Sequence, residues 1–183
     1  MLSGAGDAAP PAGDDPGDPE LVAWARGLGA LQEAERLGSS RVGTEHLLLA
    51  CLLDPVARRF AHDAGLDFTS VQRHLGRPVH AGIGARPGLL PGPDQMRLSD
   101  GAGRFLTALR DAADGDARVG DWVRPDRSTD PRARSLLRRR LLTLLLEDVT
   151  PGAARSLLDG LDVAPDVGSL VARLAEPDAP LAH

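Results

Sequence analysis

The spacing of apolar residues along the chain predicts helices throughout. Leu21, Trp24, Leu28, Leu31 and Leu37 recur at helical spacing and define one buried face. Gly27 and Gly29 weaken that helix, and Gly38 is placed to end it as a left-handed C′ residue. After a short loop, Ser39 to Gly43, a second stripe follows in Leu47, Leu48, Cys51 and Leu52. Thr44 stands where an N-cap is expected, and Glu45 in the first turn suits the positive end of the helix dipole. Pro55 can open a third helix through Phe60 to Ala64, ended by Gly65. A fourth runs from about Thr69 to Leu75.

The second half repeats this order. Ser99 can cap a helix carrying Phe105, Leu106, Leu109 and Ala113. A long polar stretch then leads to a leucine helix, Arg132 to Glu147. Pro151 to Leu158 parallels Pro55 to Phe60, and Gly160-Leu161-Asp162-Val163 echoes Gly65-Leu66-Asp67-Phe68. Val167, Leu170, Val171 and Leu174 match the closing helix around Val71 and Leu75. An internal repeat of this kind predicts an all-α fold of two four-helix units, about eight helices, related by pseudo-twofold symmetry. The expected division is a disordered tail over 1–19, a first unit over 20–76, a Gly/Pro-rich linker over 77–96, a second and degenerate unit over 97–176, and a flexible tail over 177–183.

Composition sharpens this picture. Of 183 residues, 42% are apolar, which supplies a core, and only 3% are aromatic, with no Tyr. The apolar share is mostly Leu, Ala and Val, which favours helix over sheet. The formal charge is -5, and every cation is Arg because the chain has no Lys. A net acidic chain argues against nucleic acid as a partner unless its cations cluster. One cluster exists, Arg132, Arg134 and Arg138 to Arg140, so a helical DNA-binding regulator using the Arg132–Arg140 helix is the alternative reading. Cys51 is the single cysteine, which excludes an internal disulfide and fits a reducing, cytoplasmic setting. No signal segment is evident, and the leucine run Leu141 to Leu146 is far too short to span a bilayer. No membrane partner is expected.

Two strings carry a resemblance. Glu33-Ala34-Glu35-Arg36-Leu37-Gly38, then Val42-Gly43-Thr44-Glu45-His46-Leu47-Leu48-Leu49, resemble the Clp repeat (Clp N-terminal) domain family, with Ala57, Arg59-Phe60, Gly65-Leu66-Asp67 and Val71 continuing its pattern. The likeness is clear over about 20–75 and weaker over 97–175. It implies an eight-helix double repeat of the kind found at the N-terminus of ClpA-, ClpB- and ClpC-type unfoldases. Such domains are not motors. They receive client and adaptor proteins, phosphoarginine-tagged proteins in ClpC-like members, and in some cases cyclic peptide ligands. The chain has no G-x-x-x-x-G-K-[ST] string, and without Lys a Walker A lysine is impossible. The resemblance therefore implies a receiver without its engine. Its expected role is a non-catalytic protein- or peptide-binding module that modulates Clp-dependent proteolysis or sequesters clients. Its partners would be Clp ATPase or protease components, adaptors and clients.

In phosphoarginine-binding relatives the acid of the GTEH string pairs with the guanidinium, and the threonine before it helps hold the phosphate. Those roles would fall to Glu45 and Thr44. The residues alone leave a second reading open, in which Thr44 caps its helix and Glu45 complements the dipole, each for roughly 1 kcal/mol. Aligning the leucines places Arg138, Arg139 and Arg140 where Thr44, Glu45 and His46 stand in the first half. That triplet would repel a guanidinium and attract an acidic partner, or it is a solvated helix turn. Trp122, in the polar stretch, is a candidate partner anchor. His46, His62, His74 and His80 show no zinc spacing. Neither a G-x-S-x-G string nor a Cys–His arrangement with an orienting partner is present. No enzyme activity, cofactor or metal is expected.

Overall fold

The computed structural model describes residues 18–76, 96–114, 131–148, 153–160 and 165–175. These fold into α1 (Pro19–Leu28), α2 (Ala30–Arg36), β1 (Arg41–Val42), α3 (Thr44–Cys51), α4 (Pro55–Asp63), α5 (Phe68–Gly76), β2 (Arg97–Leu98), α6 (Asp100–Asp114), α7 (Pro131–Glu147), α8 (Ala153–Asp159) and α9 (Val167–Ala175). The described chain is thus mostly helical, with one two-residue pair of parallel strands joining Arg41 to Arg97 and Val42 to Leu98.

Local chemistry sets most helix ends. Asp18 accepts from the Glu20 amide, Asp54 from the Ala57 amide at 2.8 Å, Asp67 from the Ser70 amide and Ser99 from the Ala102 amide. Each satisfies an amide that its helix leaves orphaned. Gly38 and Gly65 take positive φ at the ends of α2 and α4.

The expected first helix is in fact two, which brings the described helices to nine. Gly29 adopts φ 95°, caps the C-terminus of α1 and starts α2. A residue with a Cβ is strained there, and that Cβ would lie 3.2 Å from both Arg138 Nη2 and Leu53 Cδ1. The break lets the chain turn sharply between Leu28 and Leu31, both buried.

α3 lies at the centre. Leu47, Leu48, Leu49, Ala50, Cys51 and Leu52 are all fully buried, more than a single stripe predicts. A helix that is apolar all round belongs inside. α3 packs against α1, α2, α5, α6, α7 and α8. The contacts of the two halves are reciprocal: α3 rests on α8 as α7 rests on α4, and α4 meets α9 as α8 meets α5. Met96, expected as the last linker residue, is buried in this same core.

α7 begins at Pro131, so Arg138, Arg139 and Arg140 sit beyond its second turn and not at a helix start. Nothing in the sequence between Pro131 and Arg138 breaks a helix, and propagation adds one hydrogen bond per residue. Arg138 reaches back to α1. Its Nε and Nη2 donate to the Leu28 carbonyl at 3.0 and 2.8 Å. That carbonyl lies at the negative end of α1, so the guanidinium closes the helix that Gly29 terminates. Arg139 is buried, whereas Arg140 is exposed. Trp122 lies outside the described residues.

These roles separate the three arginines experimentally. Arg138→Met should cost about 2 kcal/mol, the scale of a hydrogen bond to a charged group. Arg140→Met should stay within about 0.5 kcal/mol, as surface changes do. Urea denaturation of both variants checks this; equal effects would show that the Leu28 contact is not what matters.

Candidate functional site

The segment Val42-Gly43-Thr44-Glu45-His46 ends a strand and starts a helix that is buried along its length. Its first amides and side chains therefore need partners inside the protein. Gly43 is the N-cap residue, in extended conformation, and Thr44 is the first residue of α3. The Thr44 hydroxyl does not cap its own helix as expected. It accepts from the amide of Ala154, the second residue of α8, at 3.0 Å in a buried contact. Thr44 thus caps a helix 110 residues away. Its Cγ2 packs so close to α6 that a Cβ at Gly101 would lie 3.2 Å from it.

His46 supplies the reciprocal half of the cap. Its Nδ1 accepts from the Gly43 amide at 2.9 Å, as a Glu or Gln does in a capping box. Nδ1 also lies 3.2 Å from Glu45 Oε1. That contact is an ion pair only if the imidazole is charged, and the Gly43 bond argues otherwise. A backbone amide can only donate, so Nδ1 is an unprotonated acceptor and the neutral ring carries its proton on Nε2. Burial pushes the His46 pKa below its ordinary 6.5; Arg36 adds to this, while Glu45 and Glu33 oppose it.

Glu45 is the one residue of α3 that is not fully enclosed. Its carboxylate folds back over Gly43, where a Cβ would collide with it. Oε2 is buried without a hydrogen-bond partner, and Oε1 faces the acceptor nitrogen of His46. A carboxylate in this state has acceptor capacity that the surrounding protein leaves unused.

The carboxylate stands at the wall of a cavity of about 350 Å³ between α3, α6, α7 and α8. Arg41, Arg104 and Arg155 are among its lining residues, Asp148 adds a second acid beside Glu45, and Phe105 and Leu145 provide an apolar side. Arg155 is also bound to Asp159, with Nη2 2.9 Å from Oδ1. The N-termini of α3 and α6 both open here, which adds favourable potential for an anion. Side chains of both signs therefore line one cavity, Glu45 and Asp148 as acids and three arginines as cations.

Of the residues singled out from the sequence, Thr44 and Glu45 meet at this cavity. Arg138, Arg139 and Arg140 do not line it. Arg41, Arg104 and Arg155 were not foreseen, because they come from three separate elements with no shared sequence pattern. Cys51 is fully enclosed, and burial raises its pKa, so it offers no thiolate nucleophile. Among the described residues, no three His, Cys, Asp or Glu side chains gather in a way that would hold a metal ion. Nor, among them, is any helix long and apolar enough to cross a membrane.

Comparisons of the chain with family models, with curated proteins and with solved structures return no match.

Thr44→Val keeps the shape of the side chain and removes the acceptor for Ala154. The loss should be about 1–2 kcal/mol, the cost of an unpaired buried amide. Hydrogen exchange should speed up at the start of α8 while α4, capped by its own Asp54, is unchanged. Equal protection of α8 in both proteins would remove the capping role from Thr44.

Proposed function

We propose that the chain is a non-catalytic receiver module of the Clp-repeat type, which binds protein or peptide ligands through the cavity beside Glu45. The observation that carries this reading is the Glu45 carboxylate itself. A residue that served only the helix dipole would gain from pointing its oxygens at the free amides of its own first turn. Here Oε2 is buried and donorless at the wall of a cavity rimmed by arginines. A group left unpaired in this way is better explained by a ligand than by stability.

The ligand that suits both charges is a guanidinium carrying an anionic group, as in phosphoarginine. The guanidinium presents a planar fork that matches a carboxylate, and the phosphoryl oxygens match the arginine side chains. Further support comes from the position of the Val42 to Leu49 string at the head of α3 and from the reciprocal packing of the two halves. Both are what a double repeat requires. On this reading the module works by capture. It presents clients to a Clp ATPase or withholds them from it, and no bond is made or broken within it.

The alternative of a DNA-binding arginine helix gains no support. Arg138 is bonded to the Leu28 carbonyl and Arg139 is buried, so the triplet does not form one solvent-facing basic row.

Titration calorimetry with phosphoarginine tests the proposal. The wild-type chain should bind, and Glu45→Gln should weaken binding by on the order of thirtyfold or more, the effect of removing one side of an enclosed charge pair. Arg104→Ala should weaken it by a smaller factor. An absence of heat, or equal binding by wild type and Glu45→Gln, would overturn the assignment.

A further inference from the structure

His46 does not line the cavity, yet it governs what the Glu45 carboxylate can do. The Gly43 amide fills its Nδ1 lone pair at 2.9 Å, and Glu45 Oε1 lies 3.2 Å from the same nitrogen. In the neutral ring both of these atoms are acceptors. Neither can satisfy the other, and Oε2 has no donor either. The carboxylate is held in place with no donor at Oε2.

We propose that His46 is a positioning residue for the Glu45 carboxylate: as a neutral acceptor it leaves the carboxylate available to a cationic ligand group, and once protonated it claims the carboxylate for itself. This rests on the reading of the cavity as a ligand site. The step needs only a proton from solvent. A proton added at Nδ1 breaks the hydrogen bond from the Gly43 amide. The new N–H donates to Oε1, and the ligand loses its partner. The charged groups facing His46 are Glu45 on its own helix and Glu33 and Arg36 on α2. Glu33 is already tied to Arg36, whose Nε and Nη2 donate to Oε2 at 2.9 and 2.7 Å. Glu45 is therefore the acid left to answer a protonated ring.

The direction of the pH effect follows. Because burial holds His46 below 6.5, the imidazole is neutral at neutral pH and takes up its proton only in acid. A ligand cation on Glu45 offsets the charge that favours imidazolium, so the liganded protein binds fewer protons than the free one. Affinity must then fall as pH drops through the His46 midpoint, which lies below 6.5, and by reciprocity the ligand must lower that midpoint.

The test uses phosphoarginine calorimetry on the full chain at about pH 7.5 and about pH 5.5, together with nitrogen NMR of the His46 ring. Wild-type affinity should drop by about threefold or more between the two conditions, whereas His46→Asn should change by about twofold or less. Asparagine can accept from Gly43 but does not titrate. The free protein should show an unprotonated Nδ1 near neutrality, and added phosphoarginine should lower the midpoint of His46. If His46→Asn does not fold, that shift in the wild-type midpoint decides the matter. Binding with the same pH profile in both proteins, or an unmoved midpoint, would overturn the role of His46 and leave the cavity reading intact. No binding at about pH 7.5 would overturn the cavity reading, and this role with it.

Discussion

The fold turns on the complete burial of α3. From Leu47 to Leu52 no side chain reaches solvent, and Thr44 and His46 are buried at its start, so most of its N-terminus is closed to water. Every group there must find a partner inside the protein or remain unpaired. Three neighbouring residues meet this constraint in different ways. Thr44 turns its hydroxyl to α8, His46 turns its ring back to Gly43, and Glu45 is left at the wall of the cavity. The position of the cavity follows from this division. The N-terminus of a central helix becomes a place where two other elements, α6 and α8, must also begin, and helix starts do not pack densely against one another.

Much of this architecture can be read from local sequence, and the unread part has one physical cause. Asp54, Asp67 and Ser99 announce their helices because the amides they cap lie three residues away. Gly38 and Gly65 announce helix ends for a similar reason. Thr44 has the same local signature, yet its partner is Ala154. Arg138 reads as a solvent-facing cation, yet it closes α1 at Leu28. In both cases a tertiary partner 110 residues away outbids the local one, and no window of sequence contains that competition. Gly29 is intermediate. Its presence weakened the expected helix, but only the demand for a turn between Leu28 and Leu31 converts a weak point into a break.

The candidate site was legible in its acid and not in its cations. Glu45 stands out in the sequence through the Gly43-Thr44-Glu45-His46 string that carries the resemblance. Arg41, Arg104 and Arg155 come from three separate elements and share no sequence pattern. Their convergence requires α6 and α8 to be placed beside α3, which is a property of the packed core. The same packing explains why the carboxylate is tolerated. It is one-fifth exposed and stands in the first turn of α3, so its charge is not stranded even though Oε2 lacks a donor. Stability alone would favour pairing that oxygen. Sites that hold back such a pair commonly do so for binding.

The difference between the two halves also takes a new form. Alignment of the leucines sets Arg138, Arg139 and Arg140 against Thr44, Glu45 and His46, as though an acidic site had been rebuilt with cations. The backbone makes that comparison unequal. Thr44 opens a helix, so the amides of the first turn are available near it. Arg138 lies seven residues into α7, where every amide is already committed to the helix ladder. A site of the first kind depends on a helix beginning, and in the second half the beginning has moved two turns upstream to Pro131. The second half therefore offers no helix terminus at those positions, and the arginines do not line the cavity. An acid at Arg139 would place a carboxylate on a buried helix face with no first-turn amides beside it, so the charge alone would not make a second site.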